Sequence, residues 1–519
     1  MRLYPTHAAF HLSLAGAAVM SLGLATRTPA VVAYGGAMLL ALAIGRAYSR
    51  ISIMRLRKAG FEMTWVAKRR VIRTTRGAEI IIMAELRNRG DHAIRAVQIR
   101  PIASSMLSAH ATPDTIDIPP RGTVQVAVHL NAIRVGRWGV HGMALEARGN
   151  VAGGETTYEA PLMFAAPFGV EVLPRTARAF THPIIGGRSQ RAVESGRPSR
   201  AAGEGDEIRE LRDHVTGDPF KRIAWKASAR RGRLLVRSMD RNERDVVWIF
   251  VDASVDLWAG PLGQAPLDRA IDEVASLAAK IVERGDRVGF VVCASRLRTW
   301  LPPSSDKAQV SSILFALASA ASLVDEDRCD LDEAELAQRV SEHARPLDPR
   351  FFAVHRPGDL DALAARAAQL RGRGPFAPRV PFARSPRDQA FRHYLAAFGI
   401  EVPPRSEGEQ ERAHHAMVPL FDRMLRERTK PTQVHIYSPA PSPSSPILAA
   451  LQRLRRRRIA VTWILPGFSE YDPESLDVGK PIDSLEDAVD RAVRIRVGAS
   501  RARGELLLRT LGIRSRRVS

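Results

Sequence analysis

The sequence predicts a multidomain protein in which an N-terminal transmembrane helical hairpin is followed by a β-sandwich-like domain and then by a doubly wound α/β domain. Two long uncharged runs occupy most of the first 45 positions, short runs with period-two alternation extend to about residue 175, and apolar strands alternate with helical patterns from residue 246 onward. A chain of 519 residues suffices for roughly three domains of about 150 residues each. Its 45% hydrophobic and 25% charged residues are ordinary for folded protein and exclude a disordered chain.

The predicted hairpin, with its basic flank, covers residues 1–58. Residues 3–26 and 28–45 contain no Lys, Arg, Asp or Glu, and each run is close to the about 20 residues that a membrane crossing needs. A cleaved signal peptide is the alternative, but no small-residue cleavage site is obvious and a second apolar run follows at once. The positive-inside rule places the next basic cluster in the cytoplasm: Arg46, Arg50, Arg55, Arg57 and Lys58. We therefore expect two spans, with both termini and the bulk of the chain in the cytoplasm.

The strong positive charge indicates an anionic partner. Lys and Arg number 77 against 55 Asp and Glu, which gives a formal net charge of +22. Anionic membrane lipids account for much of this charge, because each cation near the membrane surface gains about 1 kcal/mol. Nucleic acid is the alternative partner, and the hairpin makes it the less favoured one. The two cysteines cannot build a disulfide framework or a four-thiolate zinc site, which fits a reducing compartment.

Residues 59–180 have the pattern of a β-sandwich-like domain. Apolar and polar residues alternate at 79–86, and further strand candidates lie at 96–102, 123–130 and 139–146, separated by turns rich in Gly and Pro. This spacing of short strands is typical of a sandwich. No pattern of catalytic or metal-ligating residues stands out there, so we expect a spacer or an interaction module.

Residues 181–244 join a linker to the most informative motif of the chain. Residues 181–205 are rich in Gly, Ser, Arg and Pro, whereas residues 205–230 contain the pattern GDxxKRIxWxxSAR. Two interpretations are open: Ile223 and Trp225 pack inward in a salt-bridged clamp between domains, or the segment is a basic docking surface for an acidic partner or a phosphate. The candidate interaction residues are Arg209, Arg212, Asp218, Arg222, Trp225, Lys226 and Arg230.

Residues 245–470 have the pattern of a buried parallel sheet alternating with helices, which is typical of a doubly wound α/β domain. The predicted strands are residues 246–251, 288–292, 433–437 and 459–465. Residues of about 346–430, rich in Arg, Gly and Pro, are predicted to form an insertion in this domain. Residues 471–519 are predicted to form a basic helical tail.

Together with the hairpin, the β-rich segment and the α/β pattern, the motif at residues 205–230 resembles that of the bacterial membrane-anchored family known as domain of unknown function 58. The resemblance implies a von Willebrand factor type A-like fold for the α/β domain and a place in the bacterial inner membrane. It also implies work with a MoxR-type AAA+ ATPase and client proteins in protein maturation or complex assembly. We therefore expect a membrane-anchored, non-enzymatic interaction or scaffold protein.

The resemblance further implies a place for a divalent cation, held in such folds by an Asp-x-Ser-x-Ser loop after the first strand, a Thr from a second loop and an Asp from a third. Asp252, Ser254 and Asp256 form the first loop here, with Asp in place of the last Ser. Cys329 best matches the Thr position, and Pro439 lies after a later strand where no Asp occurs. A thiol is a poor ligand for Mg²⁺. We expect no cofactor and a degenerate site in which Asp252 orients its loop; the alternative is a receptor or enzyme that uses Mg²⁺ at Asp252.

The sequence lacks the common signatures of enzymes. It has no Gly-rich phosphate loop ending in Lys-Ser/Thr, no His-Glu-x-x-His and no Gly-x-Ser-x-Gly, so we predict no enzymatic activity. His414 and His415 lie in a charged helical run with no Cys partner, and adjacent histidines cannot share one helix face to bind a metal, so a solvated surface is predicted, with metal binding as the alternative. The run Arg455–Arg458 is predicted to be a solvated helix end, with contact to lipid or nucleic acid as the alternative.

Overall fold

The structure is a computed structural model that describes residues 4–91, 93–148, 158–175, 202–215, 220, 223–240, 245–258, 262–348, 357–405, 409–466, 482 and 484–518. The chain divides into two compact units. The first unit combines Met1–Val172 with Ser322–Pro403, and the second combines Leu173–Ala321 with Pro404–Ser519. The chain therefore enters the second unit at residue 173, goes back to the first unit at residue 322 and returns to the second unit at residue 404.

Two apolar helices lie near the start of the first unit. After β1 (Tyr4–Pro5), helix α1 spans His7–Ala25 and helix α2 spans Pro29–Ala59. The segments His7–Ala25 and Pro29–Ile51 are long and apolar enough to cross a membrane, and only 17% of each is buried. A core helix of a soluble protein would be mostly buried, so this exposure supports the predicted hairpin.

Local contacts explain how the two helices begin and meet. The Thr6 hydroxyl caps α1 by accepting a hydrogen bond from Ala9 N at 3.3 Å. Pro29 lies in the first turn of α2, where its missing N–H breaks no helical hydrogen bond. Gly35 allows close approach of the helices, because a Cβ there would lie 2.6 Å from Met20 N.

Two antiparallel sheets follow in the first unit. Their strands are β2 (Phe61–Trp65), β3 (Val71–Thr75), β4 (Glu79–Asn88), β5 (Ile94–Ala103), β6 (Leu107–Thr112), β7 (Thr115–Ile118), β8 (Thr123–Ala132), β9 (Gly136–Arg148) and β10 (Tyr158–Leu173). One sheet has the order β1-β10-β9-β5-β7, with β3 also paired to β10, and the other has the order β2-β4-β8-β6. The sheets face each other, because the Phe61 and Phe164 ring centroids lie 4.8 Å apart and Trp65 contacts Phe168. Burial alternates along β4 and β8, as expected for strands with one face in a sandwich core.

The second unit begins with a two-stranded antiparallel ribbon. It consists of β11 (Ala202–Asp213) and β12 (Leu235–Asp240), and the short helix α3 (Trp225–Arg231) lies between them in the sequence. The first part of the α/β sheet follows: β13 (Val246–Asp252), α4 (Pro266–Glu283), β14 (Arg287–Cys293), β15 (Leu297–Ser304) and α5 (Lys307–Ala320). The bounds of β13 and β14 agree with the strands predicted at residues 246–251 and 288–292.

The chain then leaves the second unit and adds three helices to the first. These are α6 (Glu333–Ala344), α7 (Pro357–Leu370) and α8 (Pro386–Phe398). They form a core of their own with residues such as Leu336, Phe391 and Leu395. They also contact the sandwich, since the Ser104 hydroxyl donates a hydrogen bond to Gly399 O at 2.7 Å.

The remaining elements complete the α/β sheet of the second unit. They are α9 (Gln410–Arg426), β16 (Gln433–Tyr437), α10 (Ile447–Arg456), β17 (Ala460–Leu465), α11 (Leu485–Thr510) and β18 (Arg514–Arg517). The sheet order is β15-β14-β13-β16-β17-β18. All neighbours are parallel except the edge pair β14 and β15. This is a doubly wound arrangement with one antiparallel edge.

Two predicted boundaries differ from the structure. The predicted insertion at 346–430 is shifted, because residues 322–403 belong to the first unit and α9 packs Met417 and Phe421 into the α/β core. The charged residues on the outer face of α9 hide its apolar stripe in the sequence. The predicted tail at 471–519 instead adds β18 beside β17 and buries Leu508. An arginine-rich edge strand has no apolar run by which it could be recognised.

Candidate functional site

The sheet of the second unit places the ends of β13 and β16 side by side, where the strand order reverses. Asp252 ends β13, and Ser438 directly follows β16. In open α/β sheets, ligands bind in the crevice at the carboxyl ends of the strands at this switch point. We call the polar residues gathered there the Asp252 cluster: Asp252, Ser254, Asp256, Glu409, His414, Ser438 and Ser445.

A chain of hydrogen bonds leads through the cluster to Asp252. The Ser438 hydroxyl donates to Asp252 Oδ2 at 2.8 Å, and His414 Nε2 lies 2.9 Å from Ser438 Oγ. Because Ser438 uses its proton on Asp252, a neutral His414 donates from Nε2 to Ser438 and accepts at Nδ1 from the Ser445 hydroxyl, 3.2 Å away. All three hydrogen bonds therefore point toward the carboxylate, which also accepts from Ser254 N at 2.9 Å.

A second set of contacts joins the loop after β13 to the start of α9. Asp256 Oδ2 accepts hydrogen bonds from Glu409 N at 2.8 Å and from Gln410 N at 2.9 Å. In return, Glu409 Oε2 accepts from Val255 N at 3.0 Å. Each acid thus satisfies backbone donors of the other segment, and Asp256 occupies the favourable position of an anion at a helix N-terminus.

Burial controls the ionisation of the cluster. Asp252 is completely buried, and burial raises its pKa to about 6, with a smaller contribution from the negative charge of Glu409. Hydrogen bonds from Ser254 and Ser438 oppose this rise. Burial lowers the pKa of His414 to about 4, so the imidazole is neutral near pH 7. Burial also raises the pKa of the Cys293 thiol.

The oxygens of the cluster fit a small hard cation. One of them, Glu409 Oε1, is buried and has no hydrogen-bond partner among the described residues, whereas the backbone and the hydroxyl of Ser254 both act on Asp252. With Asp252 they provide carboxylate and hydroxyl oxygens, the ligands that Mg²⁺ prefers. Among the described residues, no group of three or more His, Cys, Asp or Glu side chains is placed to hold a metal ion.

The structure brings together Asp252, Ser254 and Asp256 as predicted, but the rest of the cluster differs from the sequence prediction. Cys329 belongs to the first unit, where it is buried in the helical core. His414 is buried, so the prediction that it is solvated is wrong, whereas His415 is exposed. The helix turns the two adjacent side chains in different directions. The predicted solvated run Arg455–Arg458 is exposed at the end of α10.

The second candidate site lies on the β11–β12 ribbon and α3. We call it the signature surface, and its described exposed residues are Leu211, Asp213, Val215, Phe220, Trp225, Lys226, Arg230, Arg231, Arg233 and Leu234. Phe220 is 76% exposed and Trp225 is 60% exposed. Arg233 pairs with Asp213 at 3.1 Å, whereas Lys226, Arg230 and Arg231 have no ion pair among the residues that the structure describes.

The prediction that Trp225 packs inward is wrong, although Ile223 is buried as predicted. The two residues differ because Ile223 forms a β-bridge with Val236, while Trp225 begins α3 with its side chain exposed. Lys226 and Arg230 are exposed in the same helix. For Arg209 and Arg212 only the backbone, in β11, is described, and Asp218 and Arg222 lie outside the described residues.

Comparison with known families bears on the signature surface. Residues 210–344, about a quarter of the chain, match the family model described as Protein of unknown function DUF58. The match begins in β11, includes the signature surface and extends through α6. It confirms for these residues the resemblance that the motif indicates. No curated protein matches the sequence.

Several solved structures share local likeness with the chain. An aerotolerance-related membrane protein of Bacteroides fragilis is 13% identical, with 52% of this chain and 98% of that chain covered at a TM-score of 0.18. The PapD-like domain 7 of human CEP192 is 12% identical, with 22% of this chain and 84% of that chain covered at a TM-score of 0.15. SSP-19, an MSP-domain protein like family member in Caenorhabditis elegans, is 14% identical, with 20% and 94% covered at a TM-score of 0.15. At such TM-scores these likenesses carry no argument about fold or function.

Proposed function

We propose that this chain is a membrane-anchored, non-enzymatic interaction protein that presents its signature surface to a partner protein. The observation that carries the proposal is the exposure of Trp225, 60% of which faces solvent in a helix whose cations have no ion pair with any residue that the structure describes. Trp and Arg are the residues most enriched at the energetic centres of protein interfaces. Apolar side chains exposed together in this way are typical of an interaction site.

A rigid base supports Trp225. Ser228, one turn later in α3, is buried, and its hydroxyl accepts a hydrogen bond from Leu235 N at 2.8 Å and donates to Ala224 O at 3.0 Å. Ala224 N donates to Leu235 O at 2.8 Å. These bonds fix the short helix to β12, so little conformational entropy is lost when the indole binds a partner.

The charges of the signature surface favour an acidic partner. Lys226, Arg230 and Arg231 lie within two turns of α3 and have no acid to neutralise them in the described part of the chain. Opposite charge on a partner speeds association and selects against basic surfaces. The juxtamembrane cations at residues 46–58 are a separate basic region, which we assign to anionic membrane lipids.

The resemblance to the domain of unknown function 58 family supplies the identity of the proposed partner, a MoxR-type AAA+ ATPase acting on client proteins. It also supplies the proposed von Willebrand factor type A-like class of the α/β unit. Support for that class comes from the doubly wound sheet and from the Asp-x-Ser loop directly after β13. The ATPase would contribute the nucleotide chemistry for which the chain has no phosphate-binding motif.

Affinity capture of the full-length chain from detergent-solubilised membranes, with and without ATP, tests the partner assignment. Mass spectrometry should identify a MoxR-type ATPase, and Trp225→Ala should lower its recovery about thirtyfold, as for an interface residue that contributes about 2 kcal/mol. Val380→Ala is the matched control, since Val380 is 61% exposed and lies in the first unit. Equal recovery by Trp225→Ala and wild type would contradict the proposed surface.

Reporter fusions test the proposed topology. A phosphatase fused after residue 175 should be inactive, and a cytoplasmic reporter fused there should be active, because the cations in the C-terminal half of α2 hold that end in the cytoplasm. The same pair of reporters fused between α1 and α2, at Arg27, should give the opposite result. A phosphatase that is active after residue 175 would contradict the two-span hairpin.

A further inference from the structure

The α/β sheet of the second unit carries a row of three polar side chains across its last three strands. They are His435 of β16, Thr462 of β17 and Arg514 of β18, which the strand register places side by side. We propose that these three residues, the polar row, bind a phosphate group. Neither the sequence motifs nor the family resemblance assigns a role to them, and the proposal depends on neither the Asp252 cluster nor the signature surface.

Register and contacts together fix the face of the sheet on which the polar row lies. Paired residues of parallel strands project from the same face, and successive residues alternate between the two faces. The intervening residues Ile436 and Trp463 enter the apolar core on one face. On the other face, two residues further along the strands from the polar row, Tyr437 and Arg516 both contact Glu273 of α4. The polar row therefore lies on the α4 side of the sheet.

The neighbouring polar residues on this face have partners, whereas the polar row has none among the described residues. On one side of the row, Gln433 Nε2 donates a hydrogen bond to Asp245 Oδ2 at 3.5 Å. On the other side, the Tyr437 hydroxyl donates to Glu273 Oε1 at 3.1 Å. Between them, His435 is only 8% exposed, yet neither of its ring nitrogens has a hydrogen-bond partner. Buried polar atoms are almost always hydrogen-bonded, so these nitrogens indicate a place for a further hydrogen-bonding group.

The donors of the polar row suit an anion. The Arg514 side chain is exposed and has no ion pair in the part of the chain that the structure describes, so it supplies the positive charge. Burial lowers the pKa of His435 to about 4, so the imidazole is neutral near pH 7 and offers one N–H. The Thr462 hydroxyl offers a third donor. Hydrogen bonds from such groups to an ionised oxygen are the strong ones in proteins.

The spacing of the three donors favours phosphate over a carboxylate. Adjacent strands lie about 4.8 Å apart, so the row is about 10 Å long, with the short Thr462 side chain at its centre and a longer side chain at each end. A tetrahedral phosphate group above Thr462 presents oxygens in different directions and can accept from all three donors. The two oxygens of a carboxylate lie in one plane and suit a single planar donor better.

A ligand can reach the polar row from the edge of the sheet. β18 is the last strand in the sheet order, so Arg514 stands at this edge. Exposure increases along the row, from the buried His435 through the half-buried Thr462 to the exposed Arg514. Glu273, the acid that contacts the same face, is paired with Arg516, which reduces its repulsion of an anion.

Titration of inorganic phosphate into the full-length protein in detergent micelles, at constant ionic strength, tests the proposal. Isothermal calorimetry should show one phosphate bound per chain, and acetate should bind at least about tenfold more weakly. Arg514→Gln removes the charge and should weaken phosphate binding at least about tenfold. Thr462→Val keeps the shape of the side chain, removes the hydroxyl and should weaken binding about tenfold, as expected for a hydrogen bond to a charged group.

Arg517→Gln is the matched control. It removes the same charge from β18 on the opposite face of the sheet, where Arg517 pairs with Glu505 at 3.3 Å, and it should bind phosphate like wild type. Circular dichroism checks that each variant is folded, and Thr462→Val serves if Arg514→Gln is not. The proposal is overturned if wild type binds no phosphate, if acetate binds as tightly, if Arg514→Gln or Thr462→Val binds phosphate like wild type, or if Arg517→Gln loses binding as they do.

Discussion

The Asp252 cluster and the signature surface lie in the same unit, yet their relations to solvent are opposite. Asp252, Ser254 and His414 are polar residues sealed in the interior, whereas Trp225 and Phe220 are large apolar residues exposed to water. Each region inverts the usual preference of its residue types. The comparison teaches that the environments of these residues, rather than their types, distinguish the two regions from ordinary packing.

Truncation of a tryptophan in each region should give the largest contrast. Trp463 is 0% exposed, and its Nε1 donates a hydrogen bond to Ser438 O at 2.9 Å beside the Asp252 cluster. Trp463→Ala should lower the free energy of unfolding by about 3–5 kcal/mol, because it leaves a cavity and an unpaired carbonyl. Trp225→Ala should leave stability nearly unchanged. Urea denaturation of the full-length protein measures both, and a large loss for Trp225→Ala would restore the interdomain clamp interpretation.

The pH dependence of stability should give the next largest contrast between the two regions, because it depends on a carboxyl group in the Asp252 cluster. Because the pKa of Asp252 is raised from 3.8 to about 6 in the folded chain, the folded state binds its proton more tightly than the unfolded state does. Its contribution is therefore most favourable below about pH 4 and is lost as the pH rises through 6, by about 3 kcal/mol. Unfolding of wild type and Asp252→Asn in EDTA, from pH 4 to 7, measures the difference.

Asp252→Asn should lack this part of the pH dependence, while both proteins share that of every other group. The difference in unfolding free energy between the two proteins should therefore change in favour of the variant as the pH rises. A difference that stays constant from pH 4 to 7 would show that Asp252 is ionised normally. The measurement needs EDTA because a bound cation would favour the carboxylate.

Loss of the Ser228 hydroxyl should have an intermediate effect on the free energy of unfolding. It should also weaken partner binding, because Ser228 helps to hold the helix that carries Trp225. Ser228→Ala leaves Leu235 N–H buried and without its acceptor, which costs about 1–3 kcal/mol. It should also lower partner recovery, since α3 is fixed to β12 less firmly. Ser276→Ala is the matched control, because the one hydrogen bond of this hydroxyl among the described residues is donated to Asp272 O at 2.9 Å. Full partner recovery by a destabilised Ser228→Ala protein would contradict the need for a rigid base.

Lys226→Ala should have the smallest effect on stability. The side chain is exposed and makes no ion pair within the described residues, so the change in unfolding free energy should stay within about 0.5 kcal/mol. Partner recovery should nevertheless fall at low salt and differ less from wild type at high salt, because salt screens exposed charges. The Debye length is about 10 Å at 0.1 M salt, so recovery at 50 mM and at 500 mM salt compares weak with strong screening of the charges. A loss that does not depend on salt would contradict an electrostatic role.

The sequence was sufficient where a segment is buried on both faces. Strand β13 is buried at all seven positions, and such a continuous apolar run is recognisable without knowledge of its neighbours. The same holds for β16, whose predicted and observed bounds coincide. The long apolar helices α1 and α2 were likewise predictable, because length and lack of charge define them.

Positions that depend on distant partners were not predictable. Nothing near Glu409 in the sequence indicates that it meets Val255, since the contact requires the chain to return after residues 322–403. His414 lies in a charged run, and only its contact with Ser438 explains its burial. Trp225 belongs to an apolar residue type, so the sequence favoured an interior position, and only the Ile223–Val236 bridge shows which side of the segment faces the ribbon.

The central place of β16 in the sheet has a consequence for synthesis on the ribosome. Val246 and Thr432, at the starts of neighbouring strands, are 186 residues apart, because the chain builds the helices α6 to α8 between them. At about 5–20 residues per second, translation of this interval takes roughly 10–40 s. Until β16 is synthesised, β13 lacks its neighbour on that side, and the edge of a largely apolar strand is open to pairing with other nascent chains. Protection of this unfinished sheet edge during synthesis is therefore a requirement separate from the stability of the finished sheet.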